Sequence, residues 1–175
     1  MKVRAASSDD IDQIQELIVL SARELSQGYY TARQIEAAIA HVFGVDTTLI
    51  ADGTYFVAEE EGVIEGCGGW GKRRTLFGGD QYQTRDSGFS DPAVDAAKIR
   101  AFFVHPQAAR KGIGRALLAV CEAEAKASGY KSAELMSTLP GVDFYRASGY
   151  TPDEPTMFSV GDNVKIEFVP MKKLL

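Results

Sequence analysis

Apolar and polar positions along the chain follow two different periods, and the changes between them mark out the elements. Ile11, Ile14, Leu17, Ile18, Ala22 and Leu25 recur at helical spacing within residues 7–26. They predict an amphipathic helix with Ser8 as its cap and Asp9 and Asp10 in the first turn. Ahead of it, residues 2–5 alternate and read as a short strand. Thr31 and Gln34 have capping-box spacing, and Ile35, Ala38, Ile39 and Val42 then form a second helical stripe that stops at Gly44. From Gly53 the period falls to that of a strand: residues 54–58 and 63–70 flank a polar turn at 59–62 and predict an antiparallel hairpin.

The second strand of that hairpin carries Gly66, Gly68 and Gly69. Glycine weakens a strand unless the strand bends there or something approaches its backbone closely. Residues 72–92 are polar, irregular and, at about twenty residues, longer than most connections, which predicts either a functional loop covering a site or a poorly ordered one. Residues 96–104 read Ala-Ala-Lys-Ile-Arg-Ala-Phe-Phe-Val, a strand closed by His105-Pro106 because proline has no ladder donor. After a loop at 107–111, a helix is predicted over 112–128, with Ile113, Leu117, Val120, Cys121 and Glu124 on one side and Glu122 and Lys126 spaced as an ion pair. Gly129 stops it, and residues 131–136 form the next strand, giving a right-handed parallel crossover. A short helix from about Pro140 to Gly149 and strands at 156–160 and 165–171, joined by Gly161-Asp162-Asn163, complete the chain. The elements predict a single α/β domain over residues 1–175, with a mixed, mostly antiparallel central sheet flanked by helices.

Composition narrows the function. A chain of 175 residues and 19.0 kDa, 45% hydrophobic and 25% charged, suits one domain with a real core rather than a disordered tail. No run approaches the roughly 18 apolar residues of a membrane-spanning helix. The start passes directly into polar Ser7-Ser8-Asp9-Asp10, so neither a membrane partner nor a signal peptide is expected. Two cysteines, Cys67 and Cys121, make no multi-bridge framework and no CxxC pair, which points to a reducing, cytoplasmic setting. Two separated histidines, His41 and His105, lack metal-ligand spacing, and no metal is expected. A net charge of −5 and a pI near 5.1 argue against a nucleic-acid partner.

The informative stretch is Val104-His105-Pro106-Gln107-Ala108-Ala109-Arg110-Lys111-Gly112-Ile113-Gly114-Arg115-Ala116-Leu117-Leu118. Gly112 and Gly114 allow close backbone approach. The amides of residues 110–115 open a helix, where the dipole favours an anion, so the segment reads as a pyrophosphate cradle reinforced by Arg110, Lys111 and Arg115. Here the chain resembles the GCN5-related N-acetyltransferase (GNAT) family, whose acetyl-CoA loop commonly reads Gln/Arg-x-x-Gly-x-Gly/Ala after a strand ending Val-x-Pro. Ala109 stands where Gln or Arg is usual, with Arg110 beside it, so the carry-over rests on main-chain amides. A second similarity lies at Phe144-Tyr145-Arg146-Ala147-Ser148-Gly149-Tyr150, which looks like the family's Phe-Tyr-x-x-x-Gly-Phe/Tyr segment; the asparagine often found upstream is missing, with Thr138 and Pro140-Gly141 in its neighbourhood.

The resemblance implies the acyl-CoA N-acyltransferase fold and an acetyl-CoA-dependent N-acetyltransferase. Acetyl-CoA would be the cosubstrate, its pantetheine arm lying between two splayed parallel strands on Phe102, Phe103 and Val104 and its pyrophosphate on Arg110, Lys111, Gly112, Ile113, Gly114 and Arg115. It further implies direct attack of a neutral primary amine within a ternary complex, with Tyr145 as general acid toward the departing thiolate. Backbone amides near Val104 would polarise the carbonyl. An alkylammonium titrates near pH 10, so a base or water chain must deprotonate it. The strand at 96–104 has no Asp or Glu, leaving Glu134 as the base of choice, Glu65 as a second candidate, and water as a third. The expected acceptor is a small-molecule amine. A protein or peptide acceptor, and a non-catalytic acyl-CoA-binding or sensory module, stay open as alternatives, as does a homodimer through the closing strands, common in that family.

Two rivals are weaker. A dinucleotide-binding reading meets Leu117 where a third Gly or Ala belongs, seven residues between strand and Gly112, and no second crossover unit, although Glu134 falls 22 residues past Gly112. A thiol enzyme would need a base partnered to Cys67 or Cys121, and none is adjacent in sequence.

Overall fold

The computed structural model describes residues 1–82 and 85–175; positions 83 and 84 of the long predicted loop lie outside the described residues. In chain order the elements are β1 (Lys2–Ala5), α1 (Ile11–Leu25), α2 (Ala32–His41), α3 (Thr47–Ala51), β2 (Tyr55–Glu60), β3 (Val63–Gly71), β4 (Ala97–Val104), α4 (Ile113–Ala127), β5 (Ser132–Thr138), α5 (Val142–Ala147), β6 (Thr151–Pro152), β7 (Thr156–Gly161) and β8 (Val164–Leu174). The strands form one sheet in the order β1-β2-β3-β4-β5-β8-β6, with β7 also paired to β8. Every pairing is antiparallel except β4 with β5. This is the expected mixed, mostly antiparallel architecture. Among the described residues no helix is long and apolar enough to cross a membrane.

Local chemistry explains where boundaries moved. The first cap is Ser7, not Ser8: Ser7 and Asp10 form a capping box around a 3₁₀ turn, Ser8–Asp10, and α1 begins only at Ile11. Asp10 is also held by Arg4, at 2.8 Å through each oxygen, which ties β1 to the helix start. Thr31 and Gln34 cap α2 as expected. The short α3 was not anticipated; Asp46 starts it by accepting from the amides of Thr48 and Leu49 at 3.0 and 3.3 Å. In the last hairpin Gly161 still pairs with Val164, so the turn is Asp162-Asn163 alone, both at positive φ. Glu122 does not pair with Lys126. It grips Lys173 of β8 at 2.8 and 2.9 Å, a half-buried partner preferred over an exposed one on the same helix.

The sheet separates two apolar cores. On one face α1 and α2 pack Ile14, Leu17, Ile18 and Ala38 against Tyr55, Val57, Ile166 and Phe168. On the other, Leu117 and Cys121 of α4 and Tyr145 of α5 meet Trp70, Ile99, Ala133 and Leu135. The glycines of β3 admit three side chains that would otherwise have no room. Ile113 of α4 occupies the space of a Gly66 side chain, the Phe102 ring that of Gly68 at 2.7 Å, and the Tyr55 ring that of Gly69 at 2.7 Å.

The long connection between β3 and β4 is tied to the sheet over its described part. Asp46, fully buried, accepts from Arg100 of β4 at 2.6 Å and from Arg85 at 3.0 Å. Arg100 also donates to the Gly78 carbonyl at 2.6 Å, and Gly79 and Asp80 bond back to the carbonyls of Val42 and Val45 at 2.7 and 3.0 Å. Residues 76–82 thereby become a strap across the α1/α2 face. Burial pulls the Arg100 guanidinium below its usual pKa, with Asp46 opposing the shift. Asp46→Asn leaves Arg100 buried without its carboxylate, and is expected to lower stability by about 3–5 kcal/mol in urea unfolding. An unchanged midpoint would contradict this account of the strap.

Candidate active site

Strands β4 and β5 pair at only two positions, Ala97 with Ala133 and Lys98 with Glu134. Beyond them β4 keeps β3 as its neighbour and β5 runs its whole length, Ser132 to Thr138, along β8. A cleft therefore opens between two parallel strands of one sheet. Its β4 wall contains a bulge: three steps from Arg100 to Phe103 face two steps from Gly69 to Cys67, and Ala101 sits at φ +56°. Past the bulge, the His105 amide donates to the Glu65 carbonyl on β3 at 2.8 Å. Backbone direction alternates along a strand, so the Phe103 amide also faces β3 while those of Phe102 and Val104 face the cleft. The Val104 amide meets only Ser21 Oγ of α1 there, at 3.3 Å. The side chains of Phe102 and Val104 pack toward the α4 face and that of Phe103 toward the α1 face.

At the end of β4 the chain turns through Pro106–Ala108 and enters α4. His105 accepts from the Gln107 amide through Nδ1 at 3.2 Å, so it works as a cap. Arg110 at φ +67° and Gly112 at φ +87° coil the loop, and the first amide returned to the helix is that of Ala116, to the Gly112 carbonyl at 3.0 Å. The amides of Arg110, Lys111, Gly112, Ile113, Gly114 and Arg115 have no acceptor among the described residues. That makes a run of outward donors at a helix N-terminus. Arg110, Lys111 and Arg115 are exposed beside it, whereas Ile113 is buried and offers only its amide. Ala109 supplies no charge, and Gly114 leaves just enough space for Phe144, 3.2 Å from where a side chain would start.

Tyr145 projects from α5 on the α4 side of the cleft. Its ring meets Phe102 of β4 edge-on at 6.3 Å between centroids, and it also contacts Phe144 and Tyr150. At 8% exposure, burial raises its phenol well above the usual tyrosine pKa, followed in effect by the nearby Cys121, so the group is a proton carrier over the whole ordinary pH range. Glu134 stands at the last β4–β5 pair, where the cleft begins, in an ion pair with Lys98. Glu65 is on β3, with β4 between it and the cleft. The α1/α2 face carries an aromatic cluster that sequence reasoning did not assign: Phe43 lies against Phe103 of β4 at 5.7 Å, and Phe77 of the strap against Tyr82, Phe158 and Phe168 at 4.9 to 5.3 Å. Phe77 was hidden in an irregular loop, and only the length of that loop signalled it.

With this geometry in hand, a family profile described as the acetyltransferase (GNAT) domain matches residues 51–152, more than half of the chain. The chain belongs to that family. Among solved structures it is similar to a GCN5-related N-acetyltransferase from Rhodopseudomonas palustris, with TM-score 0.74 and 20% identity over 99% of this chain and 95% of that one. It is also similar to the PaiA N-acetyltransferase of Thermoplasma acidophilum in complex with coenzyme A, with TM-score 0.69 and 17% identity over 99% and 98%. A phosphinothricin acetyltransferase from Sinorhizobium meliloti in complex with AcCoA gives TM-score 0.65 and 17% identity over 99% and 88%. None of the curated proteins matches.

The cysteines take no part in the donors just described. Cys67 is buried with its thiol pushed up to about 12 by desolvation, and Cys121 is likewise raised by burial. In the native protein at pH 8 neither thiol is expected to react with a disulfide reagent on the timescale of a urea-unfolded control, in which both should titrate. Rapid reaction of one equivalent without denaturant would contradict their burial.

Proposed function

We propose that the chain is an acetyl-CoA-dependent N-acetyltransferase that moves the acetyl group to the primary amine of a small molecule within a ternary complex. The observation that carries this reading is the row of backbone donors running from the cleft to the helix: the amides of Phe102 and Val104 face the cleft, where that of Val104 meets Ser21 Oγ, and those of Arg110 through Arg115 follow without an acceptor among the described residues. A pantetheine arm needs a strand edge and its pyrophosphate needs a nest of amides, and the row offers both in that order. The bound cosubstrate supplies an acetyl thioester, activated toward nucleophiles.

This chain's residues divide the remaining work. The amides of Arg110, Lys111, Gly112, Ile113, Gly114 and Arg115 hold the diphosphate, with the three cations adding long-range attraction. The cleft-facing amides of Phe102 and Val104 receive the arm and its thioester, while the side chains of both, with Phe103, pack the two cores. Tyr145 delivers its proton to the leaving thiolate, a task suited to a phenol that stays neutral. Glu134, steadied by Lys98, takes the proton from the incoming ammonium directly or through water. With the cradle on the α4 side, the amine enters from the α1/α2 side, where Phe43, Phe77 and Phe168 belong to one aromatic cluster. Those apolar surroundings favour a small amine over a charged protein surface.

The test is release of free thiol from acetyl-CoA against a panel of amines. The expected result is saturation in both reactants with intersecting initial-rate lines; parallel lines would indicate an acyl-enzyme, and cofactor binding without amine-dependent release would leave a binding module. Tyr145→Phe is expected to lower kcat by about 10²–10⁴ with acetyl-CoA affinity unchanged within about twofold. Undiminished turnover would remove Tyr145 from the acid role.

A further inference from the structure

The bulge of β4 is fastened by a side chain from two strands away. Tyr55, on β2, is fully buried and lies opposite Gly69 of β3. Because Gly69 has no side chain, the Tyr55 ring crosses over it, and the phenol donates to the Ala101 carbonyl at 3.2 Å. Cys67 Sγ approaches the same oxygen at 3.8 Å. Two buried donors thus converge on one carbonyl of one residue, and that residue holds the left-handed conformation which a side-chain-bearing residue rarely adopts. Alanine at φ +56° persists only where its surroundings fix it.

The carbonyl of Ala101 and the amide of Phe102 belong to one planar trans peptide, so they point in opposite directions. An oxygen drawn toward β2 and β3 sends the Phe102 N–H the other way, toward the side of β4 that β5 has left. The alternation counted back from His105, whose amide bonds to β3, gives the same direction independently. We propose that Tyr55 is a positioning residue for acetyl transfer: through Ala101 it aims the Phe102 N–H at the thioester oxygen, where negative charge develops. The inference rests on the transferase reading above and adds to it a residue remote from the cleft. It also accounts for Gly69, since any larger residue would block the ring's passage.

Tyr55→Phe keeps the ring and removes the donor. Loss of one oxyanion donor costs about 10²–10³ in kcat; a donor misdirected but present is expected to cost about tenfold, with the KM for acetyl-CoA within about twofold. A merely structural tyrosine would lower the unfolding midpoint and leave kcat alone. A second measurement needs no variant. Ala101-Phe102 is the one Ala-Phe step in the sequence, so protein labelled with carbonyl-¹³C alanine and ¹⁵N phenylalanine gives a single correlated signal from this peptide unit. Its proton is expected to move further downfield with acetyl-CoA than with coenzyme A, and the difference should shrink in Tyr55→Phe as the Ala101 carbon signal shifts upfield. The proposal is overturned if the folded variant keeps its kcat within twofold. It is also overturned if the wild-type signal responds identically to the two ligands while calorimetry shows both bound. Failure to bind either ligand would instead sink the transferase reading, and this inference with it.

Discussion

Two residue pairs hold β4 to β5, and everything proposed for this chain follows from their parting afterwards. A strand that leaves its neighbour exposes amides and carbonyls that must be satisfied some other way. On the β5 side the answer is β8, which pairs with it from Ser132 to Thr138. On the β4 side the bulge at Ala101 turns part of the backbone toward β3, and Ser21 of α1 takes the Val104 amide. What is left over, the Phe102 amide and the loop of amides beyond His105, is a set of donors at one end of a sheet, placed where a ligand can complete them. The cleft is thus an interruption in a ladder, kept open by packing on both faces.

That packing explains the glycine content of β3. Ile113, Phe102 and Tyr55 each use the space of a missing side chain on β3, from the helix that begins the cradle, the strand that lines the cleft and the strand on the far side. A side chain at Gly66 would push out the first turn of α4, and with it the amides of the cradle. The buried Asp46–Arg100 pair works from the opposite face, joining the start of α3, the strap and β4 one residue before the bulge. Such a pair adds little net stability, but removing one partner is costly, so it fixes the strap in place more than it strengthens the fold.

Much of this was legible in the sequence because it depends on local chemistry. Periodicity located α1, α2, α4 and the hairpins, Thr31 with Gln34 marked a helix start, and Gly112-Ile113-Gly114 behind a strand marked the cradle. The glycines of β3 announced a close approach without saying what approached. Short elements escaped: α3 with five residues and β6 with two carry no period to read. Two adjacent serines, Ser7 and Ser8, could not be told apart as caps until Asp10 was seen to reach back. Partners distant in sequence were beyond reach altogether. Glu122 and Lys173 are 51 positions apart, and Tyr55 and Ala101 46 apart, and each pair exists only once the strand register is set.

The most direct test of the cleft is backbone hydrogen exchange with and without saturating acetyl-CoA. If the arm lies along β4 and the diphosphate sits on the helix start, the amides of Phe102 and Val104 should slow together with those of residues 110–115. Protection confined to 110–115 would mean that the ligand hangs from its phosphates alone, and the account of β4 as the wall that receives it would be contradicted.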